Sequence, residues 1–244
     1  MDRVKDSISQ SPILQCSIFD SYYVRPQTLK SYRFFALFAM TIICFFTFRN
    51  LYEFRHLTGW GEVVVEIYFI FISLCYFIYK DDKTPSSQSP FALWKMAHLF
   101  GVLAFTLQIF IPLLYWGWVI STNALKNREE ILLTITTHAI TASIIWVDSA
   151  FNKLEYYPSH AVFLFVFCTV YTTANYIVSK AVGIPVYKAL NWEGIDSIFK
   201  VLLGYLIIYL GFGLGWYLAK RKAQKIQIDE SDSKYLNVEN MEQI

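Results

Sequence analysis

Six stretches of the chain carry few or no charges over a length that crosses a hydrocarbon core of about 30 Å. The first, 34–48, is flanked by Arg33 and Arg49, which must snorkel outward along their methylene stems to leave the apolar layer. The second, 58–79, carries Glu62 and Glu66 in its first half. The third falls between Lys95 and Lys126 and contains Pro112, where a kink is expected. The fourth is 131–151, with Asp148 near its end, the fifth 156–179 and the sixth 201–219. A backbone in lipid must satisfy its own hydrogen bonds, and these runs are too long and unpatterned for barrel strands. The pattern therefore predicts an all-α fold, a polytopic transmembrane bundle of about six helices. It divides the chain into a polar N-terminal segment (1–33), a membrane domain (34–219) and a tail (220–244) that is basic, then polar, and expected to be disordered. A polar linker with turn formers, KDDKTPSSQSP, occupies 80–90.

Composition strengthens the membrane reading. Of 244 residues 55% are hydrophobic and only 16% charged, and 21 Phe, 17 Tyr and 7 Trp are more aromatic surface than a water-soluble globule of this size can hide. The net charge of +2 gives no basic surface for nucleic acid. Charge placement sets topology. With six spans, fourteen Lys and Arg fall on the side of the two termini and seven on the other, so the positive-inside rule puts both termini in the cytoplasm. Lys220, Arg221, Lys222 and Lys225 suit an anionic inner leaflet and read equally as a stop signal. The first apolar run follows a polar segment with Asp2 and Asp6, so neither a signal peptide nor a mitochondrial transit peptide is visible. The location expected is the endoplasmic reticulum or the plasma membrane.

Polar residues inside the spans carry the candidate chemistry. On the fourth span Thr134, His138, Thr141, Ile145 and Asp148 recur at spacings of four and three, so they share one helix face that must point into the bundle. Intramembrane ionisable groups are functional candidates, while Thr and His also glue helices together. Asp148 lies about 15 Å along the axis from His138 and cannot orient it. Thr58, Glu62 and Glu66 form a second stripe; Thr58 has an ordinary explanation as an N-cap and Glu62 as a partner of the helix dipole. Glu66 lies deeper and is a candidate partner for His138 or a cavity wall. Cys16, Cys44, Cys75 and Cys168 form no C-x-x-C pair and read as small buried hydrophobes. The histidines, His56, His98, His138 and His160, lack the spacing of a helical metal pair. Grouped by depth as His56 with His138 and His98 with His160, they leave a two-haem bundle as an alternative. No cofactor or metal is otherwise indicated.

Three segments in order resemble one family of multi-pass membrane proteins, the androgen-induced protein family with its rolling-stone branch. His56-Leu57-Thr58-Gly59-Trp60-Gly61 is similar to its "LT" element in the rolling-stone form "LTxW". Thr137-His138 followed by Asp148 is similar to its intramembrane histidine with an acidic residue about ten places on. Tyr157-Pro158-Ser159, Tyr171 and Val186-Tyr187-Lys188-Ala189-Leu190-Asn191-Trp192 are similar to its "YP...Y...G..vYp.L.W" ending, with Lys188 where proline is common and Asn191 where rolling-stone members have Asp. The androgen-induced branch consists of threonine hydrolases that cleave fatty acid esters of hydroxy fatty acids. The resemblance thus implies Thr58 as nucleophile and His138 as general base. Glu66, Thr134 and Thr141 are candidates for the substrate cavity. The partners expected are the bilayer and a fatty acyl ester. The rolling-stone features leave a second reading, a non-enzymatic membrane organiser, fusion factor or complex subunit. Thr58 must reach a histidine about 11 Å below the outer end of the fourth span.

Overall fold

In the computed structural model the described residues are 21, 23–49, 55–78, 93–119, 128–187 and 190–241; they are mostly helical and contain no β-strand. Cys16, the linker 80–90, Lys188 and Ala189 lie outside them. Helix α1 is Pro26–Thr47, α2 Leu57–Ile78 and α3 Leu93–Leu114, which runs into a π-helical turn, Tyr115–Val119. The fourth span is built from α4 (Arg128–Thr134), a second π-helical turn (Ile135–Ile140) and α5 (Thr141–Phe151). Helices α6 (Pro158–Val182) and α7 (Gly194–Met241) complete the bundle. Six stretches are long and apolar enough to cross a membrane, as in a multi-pass integral membrane protein: Pro26–Thr47, Leu57–Ile78, Leu93–Gly117, Ile131–Phe151, Pro158–Val182 and Gly194–Lys225.

The third span is the axis of the bundle. Of its most apolar stretch 78% is buried, against 17% for the sixth, and α3 packs on α2, α5, α6 and α7. Its small residues Ala97, Gly101 and Ala104 are buried and spaced at four and three, which lets a neighbouring backbone approach closely. At Gly101 a Cβ would lie 2.9 Å from Tyr68 Cε2 of α2. The outer faces carry exposed Phe35, Phe38, Phe45, Phe77, Leu202, Leu206 and Leu210, a surface matched to lipid chains.

One expectation is corrected. Helix α1 starts at Pro26, a residue preorganised for the first helical position, and so takes Arg33 inside. Arg33 does not snorkel. It is 0% exposed and paired with Asp148, also 0% exposed. Arg33 Nε donates to Asp148 Oδ1 at 2.7 Å and Nη2 to Oδ2 at 3.3 Å. Its Nη1 and Nη2 also donate to the Tyr76 and Tyr68 hydroxyls at 3.0 and 3.2 Å. Tyr68 Oη (2.5 Å) and Asn152 Nδ2 (2.7 Å) both donate to Asp148 Oδ2. Both ions are thus hydrogen-bonded throughout, the condition under which a buried pair is tolerated. Helix α7 runs to Met241, and no Gly or Pro follows Gly215 within it.

The end of α5 gathers three parts of the chain. Its last carbonyls have no intrahelical donor. Ser21 Oγ donates to Phe151 O at 2.6 Å, and Lys222 Nζ to Ser149 O at 2.7 Å and to Asn152 O. A lysine there also complements the helix dipole.

Tyr68 is pinned by Arg33 and Asp148, so its ring cannot yield to a larger neighbour. Gly101→Ala is therefore expected to destabilise the bundle by about 1–3 kcal/mol, read as a lower unfolding temperature in detergent. An unchanged temperature would show that Tyr68 is free to move.

Candidate intramembrane site

A cavity of about 690 Å³ lies at the end of the bundle where α2 begins. Its walls come from the first turn of α2 (Leu57, Thr58, Gly59), the end of α3 with Tyr115, the fourth span (Thr134, Thr137, His138), α6 and α7, and 184–187 closes one side. Most of this lining is apolar.

The local sequence explains why His138 enters it. In the fourth span, Thr136 and Thr137 hydroxyls both bond back to carbonyls four residues earlier, Leu132 O and Leu133 O, each at 2.9 Å. Such back-bonding competes with the α ladder and bends a helix. The ladder here slips to π spacing, with the Thr141 amide bonded to Thr136 O. The extra residue in the turn carries His138 onto the cavity wall, and π turns recur at functional sites. The other π turn starts at Tyr115, and the two residues meet: the rings stack with centroids 3.8 Å apart and planes at 19°. Tyr115 Oη and Thr134 Oγ1 are hydrogen-bonded at 3.1 Å. His138 is 5% exposed and, among the described residues, its Nδ1 has no hydrogen-bond partner. Stacking on Tyr115, not a carboxylate, orients this imidazole, since Asp148 is committed to Arg33.

Thr58 reaches the wall by a different route. Helix α2 starts at Leu57, so Thr58 sits inside the first turn and is not the N-cap. The orphan Leu57 amide donates instead to Tyr187 Oη at 2.8 Å. Tyr187 is held by Tyr171 Oη (3.0 Å), Tyr171 by Asn175 Nδ2 (3.2 Å), and Asn175 Oδ1 accepts from Trp192 Nε1 (3.1 Å). This chain of side chains fastens the segment after α6 to the start of α2. Tyr187→Phe leaves the Leu57 amide without its acceptor and is expected to cost about 1–3 kcal/mol; thermal unfolding within error of the unsubstituted protein would remove that role. His56 packs edge-on against Tyr187 with centroids 5.5 Å apart and also lines the cavity. Burial, and the Arg55 cation beside it, hold its pKa below the ordinary value, so it is neutral at pH 7.

Of the residues singled out from the sequence, Thr58, Thr134 and His138 line this one cavity; Glu66 and Thr141 are not among its lining residues. Glu66 looks outward, accepting from Thr41 Oγ1 at 2.7 Å in a separate shallow groove beside Cys44 and Arg49. Thr141 is buried and donates to Thr136 O at 3.2 Å. The stripe on the fourth span does face inward: Thr134, His138, Thr141, Ile145 and Asp148 are all buried. Tyr115, Tyr171 and Tyr187 have no signal in the spacing of polar residues, because tyrosines in and near spans read as ordinary packing or interface residues; Asn175 is a lone amide within the fifth span.

The remaining histidines pair at the opposite end. The His98 and His160 rings are 5.2 Å apart, His98 Nε2 is held by Glu155 O at 2.6 Å, and His160 Nδ1 accepts from the Tyr157 amide at 3.2 Å. Rings so close, each with a nitrogen engaged, do not bracket a haem. Among the described residues no three His, Cys, Asp or Glu side chains are grouped to share a metal ion. Comparison with protein-family models, with curated proteins and with solved structures finds no match to the chain.

Proposed function

We propose that this chain is an intramembrane hydrolase of fatty acyl esters, with Thr58 as nucleophile and His138 as general base. The observation that carries the reading is that Thr58 and His138, on separate helices, line one largely apolar cavity. The resemblance of the segments around them to androgen-induced threonine hydrolases points the same way. A neutral imidazole is able to accept a proton. It would take the proton of the Thr58 hydroxyl as the oxygen attacks the ester carbonyl. The tetrahedral adduct expels the alcohol, which receives that proton, and leaves an acyl-threonine. Water, deprotonated by His138, then attacks the acyl carbon; the C–O bond to Thr58 breaks, the hydroxyl is restored and the fatty acid departs. The apolar walls suit an acyl chain. By the bias of Lys and Arg, the cavity end faces away from the cytoplasm.

A fluorophosphonate probe tests this. Labelling of the purified protein that is lost in both Thr58→Ala and His138→Ala supports the reading. Labelling that survives both substitutions sinks it, and no labelling at all favours the non-enzymatic alternative.

A further inference from the structure

Helix α7 turns one stripe toward lipid. Leu206, Leu210, Leu214, Tyr217 and Arg221 recur at spacings of four, four, three and four, so they share a helix face, and all five are exposed. From Leu206 to Tyr217 the helix rises about 16 Å, close to half of a hydrocarbon core of about 30 Å. The leucines therefore occupy the depth of one leaflet's acyl chains. Tyr217 and its exposed neighbour Trp216 stand at the interface, where amphipathic rings settle, and Lys220 and Arg221 follow one turn later at the level of lipid phosphates.

The rings hold these two cations in place. Lys220 Nζ lies 5.6 Å from the Trp216 ring centroid, and the Arg221 guanidinium carbon 5.3 Å from that of Tyr217. A ring face attracts a cation but leaves its N–H donors for oxygen acceptors. Lys222 points the other way, to the carbonyls that end α5, and adds its charge from behind. The same end of the bundle repeats the device on α1 and α3, with Lys30 Nζ 5.5 Å from the Tyr76 ring and Lys95 Nζ 5.5 Å from that of Trp94. The first acid beyond, Asp229, is eight residues from Arg221, about 12 Å along α7 and past the screening distance of about 8 Å at physiological salt. The far end of α7 has the opposite character: Glu193 precedes it, and Asp196 is paired with Lys200.

We propose that the basic end of α7 binds an anionic phospholipid of the phosphatidylserine class, its headgroup on Lys220 and Arg221 and an acyl chain along Leu206, Leu210 and Leu214. Two cations beside an apolar stripe one leaflet deep fit a headgroup of net negative charge carried on hydrocarbon. A zwitterionic phosphatidylcholine covers the stripe equally well but brings its own cation. A stop signal for insertion needs the charges alone and implies no choice between the two lipids. The site lies at the opposite end of the bundle from Thr58 and is independent of the chemistry proposed for the cavity.

Native mass spectrometry of the full chain, released from micelles holding equal amounts of dioleoyl phosphatidylserine and dioleoyl phosphatidylcholine, tests this. Phosphatidylserine is expected to bind more tightly by about tenfold or more, the contribution of two cations near an anionic headgroup. Lys220→Gln with Arg221→Gln should cut that preference to about twofold or less, whereas Lys220→Arg with Arg221→Lys keeps it. Arg128→Gln with Lys180→Gln, both exposed at the other end of the bundle, should leave it unchanged. Equal binding of the two lipids by the native chain overturns the proposal, as does a preference that survives the Gln pair at 220 and 221 or falls equally with the pair at the other end. Displacement of the bound lipid by inorganic phosphate at equal concentration overturns a lipid as the occupant. If the Gln pair at 220 and 221 does not fold, the comparison of the two lipids on the native chain decides alone.

Discussion

Replacing Arg33 with methionine is expected to destabilise the bundle by about 3–5 kcal/mol, the largest effect of any single change outside the cavity. The cost comes from what is left behind. Asp148, 0% exposed, would be left without its cation in a medium that solvates a carboxylate poorly, held by the Tyr68 and Asn152 donors. The Tyr76 and Tyr68 hydroxyls would also lose a cation that fixes them. Because these groups belong to α1, α2 and α5, the loss loosens three helices together. Removing both charges has a different outcome. Arg33→Met with Asp148→Leu is expected to recover much of the stability, since a packed apolar pair replaces a buried ionic one at little cost. Unfolding of the two single variants and the double variant in detergent checks this. A single variant as stable as the unsubstituted protein would show that the pair does not hold the helices.

The second large effect is on catalysis. Under the proposed mechanism Thr58→Ala removes the attacking oxygen and abolishes ester hydrolysis, whereas Thr58→Ser keeps it. His138→Ala removes the base and is expected to slow turnover by about 10²–10⁴-fold. The double variant Thr58→Ala, His138→Ala should be no slower than Thr58→Ala alone, because the two groups act on one proton and their effects do not add. Steady-state hydrolysis of a fatty acid ester of a hydroxy fatty acid measures all four variants. Turnover in His138→Ala within about threefold of the unsubstituted protein would remove His138 from the mechanism.

The spans were legible because length and apolar content are local properties, and so was the inward face of the fourth span, which follows from helical period. What escaped depends on distance in sequence. A charge-free window stops at Arg33, since nothing nearby reveals that Asp148, 115 residues on, neutralises it. Thr58 looked like a cap because a hydroxyl before an apolar run commonly is one; the actual acceptor, Tyr187, lies 130 residues away. Glu66 was grouped with His138 by depth alone, whereas its carboxylate turns to Thr41 of α1. The π turns are hidden for another reason: a period of 3.6 is assumed when a stripe is read, and back-bonding threonines break it.

The separation of Arg33 from Asp148 has a consequence for how the protein is made. Arg33 sits in α1, which leaves the ribosome before its partner in the fourth span. At about 5–20 residues per second, Asp148 follows on the order of ten seconds later. During that interval a cation in the first span costs roughly 2.5–3.5 kcal/mol in lipid, and no counter-ion exists. The first span therefore has a reason to stay shallow, or beside the insertion machinery, until the fourth is synthesised. The ion pair can close only once the fourth span has been synthesised.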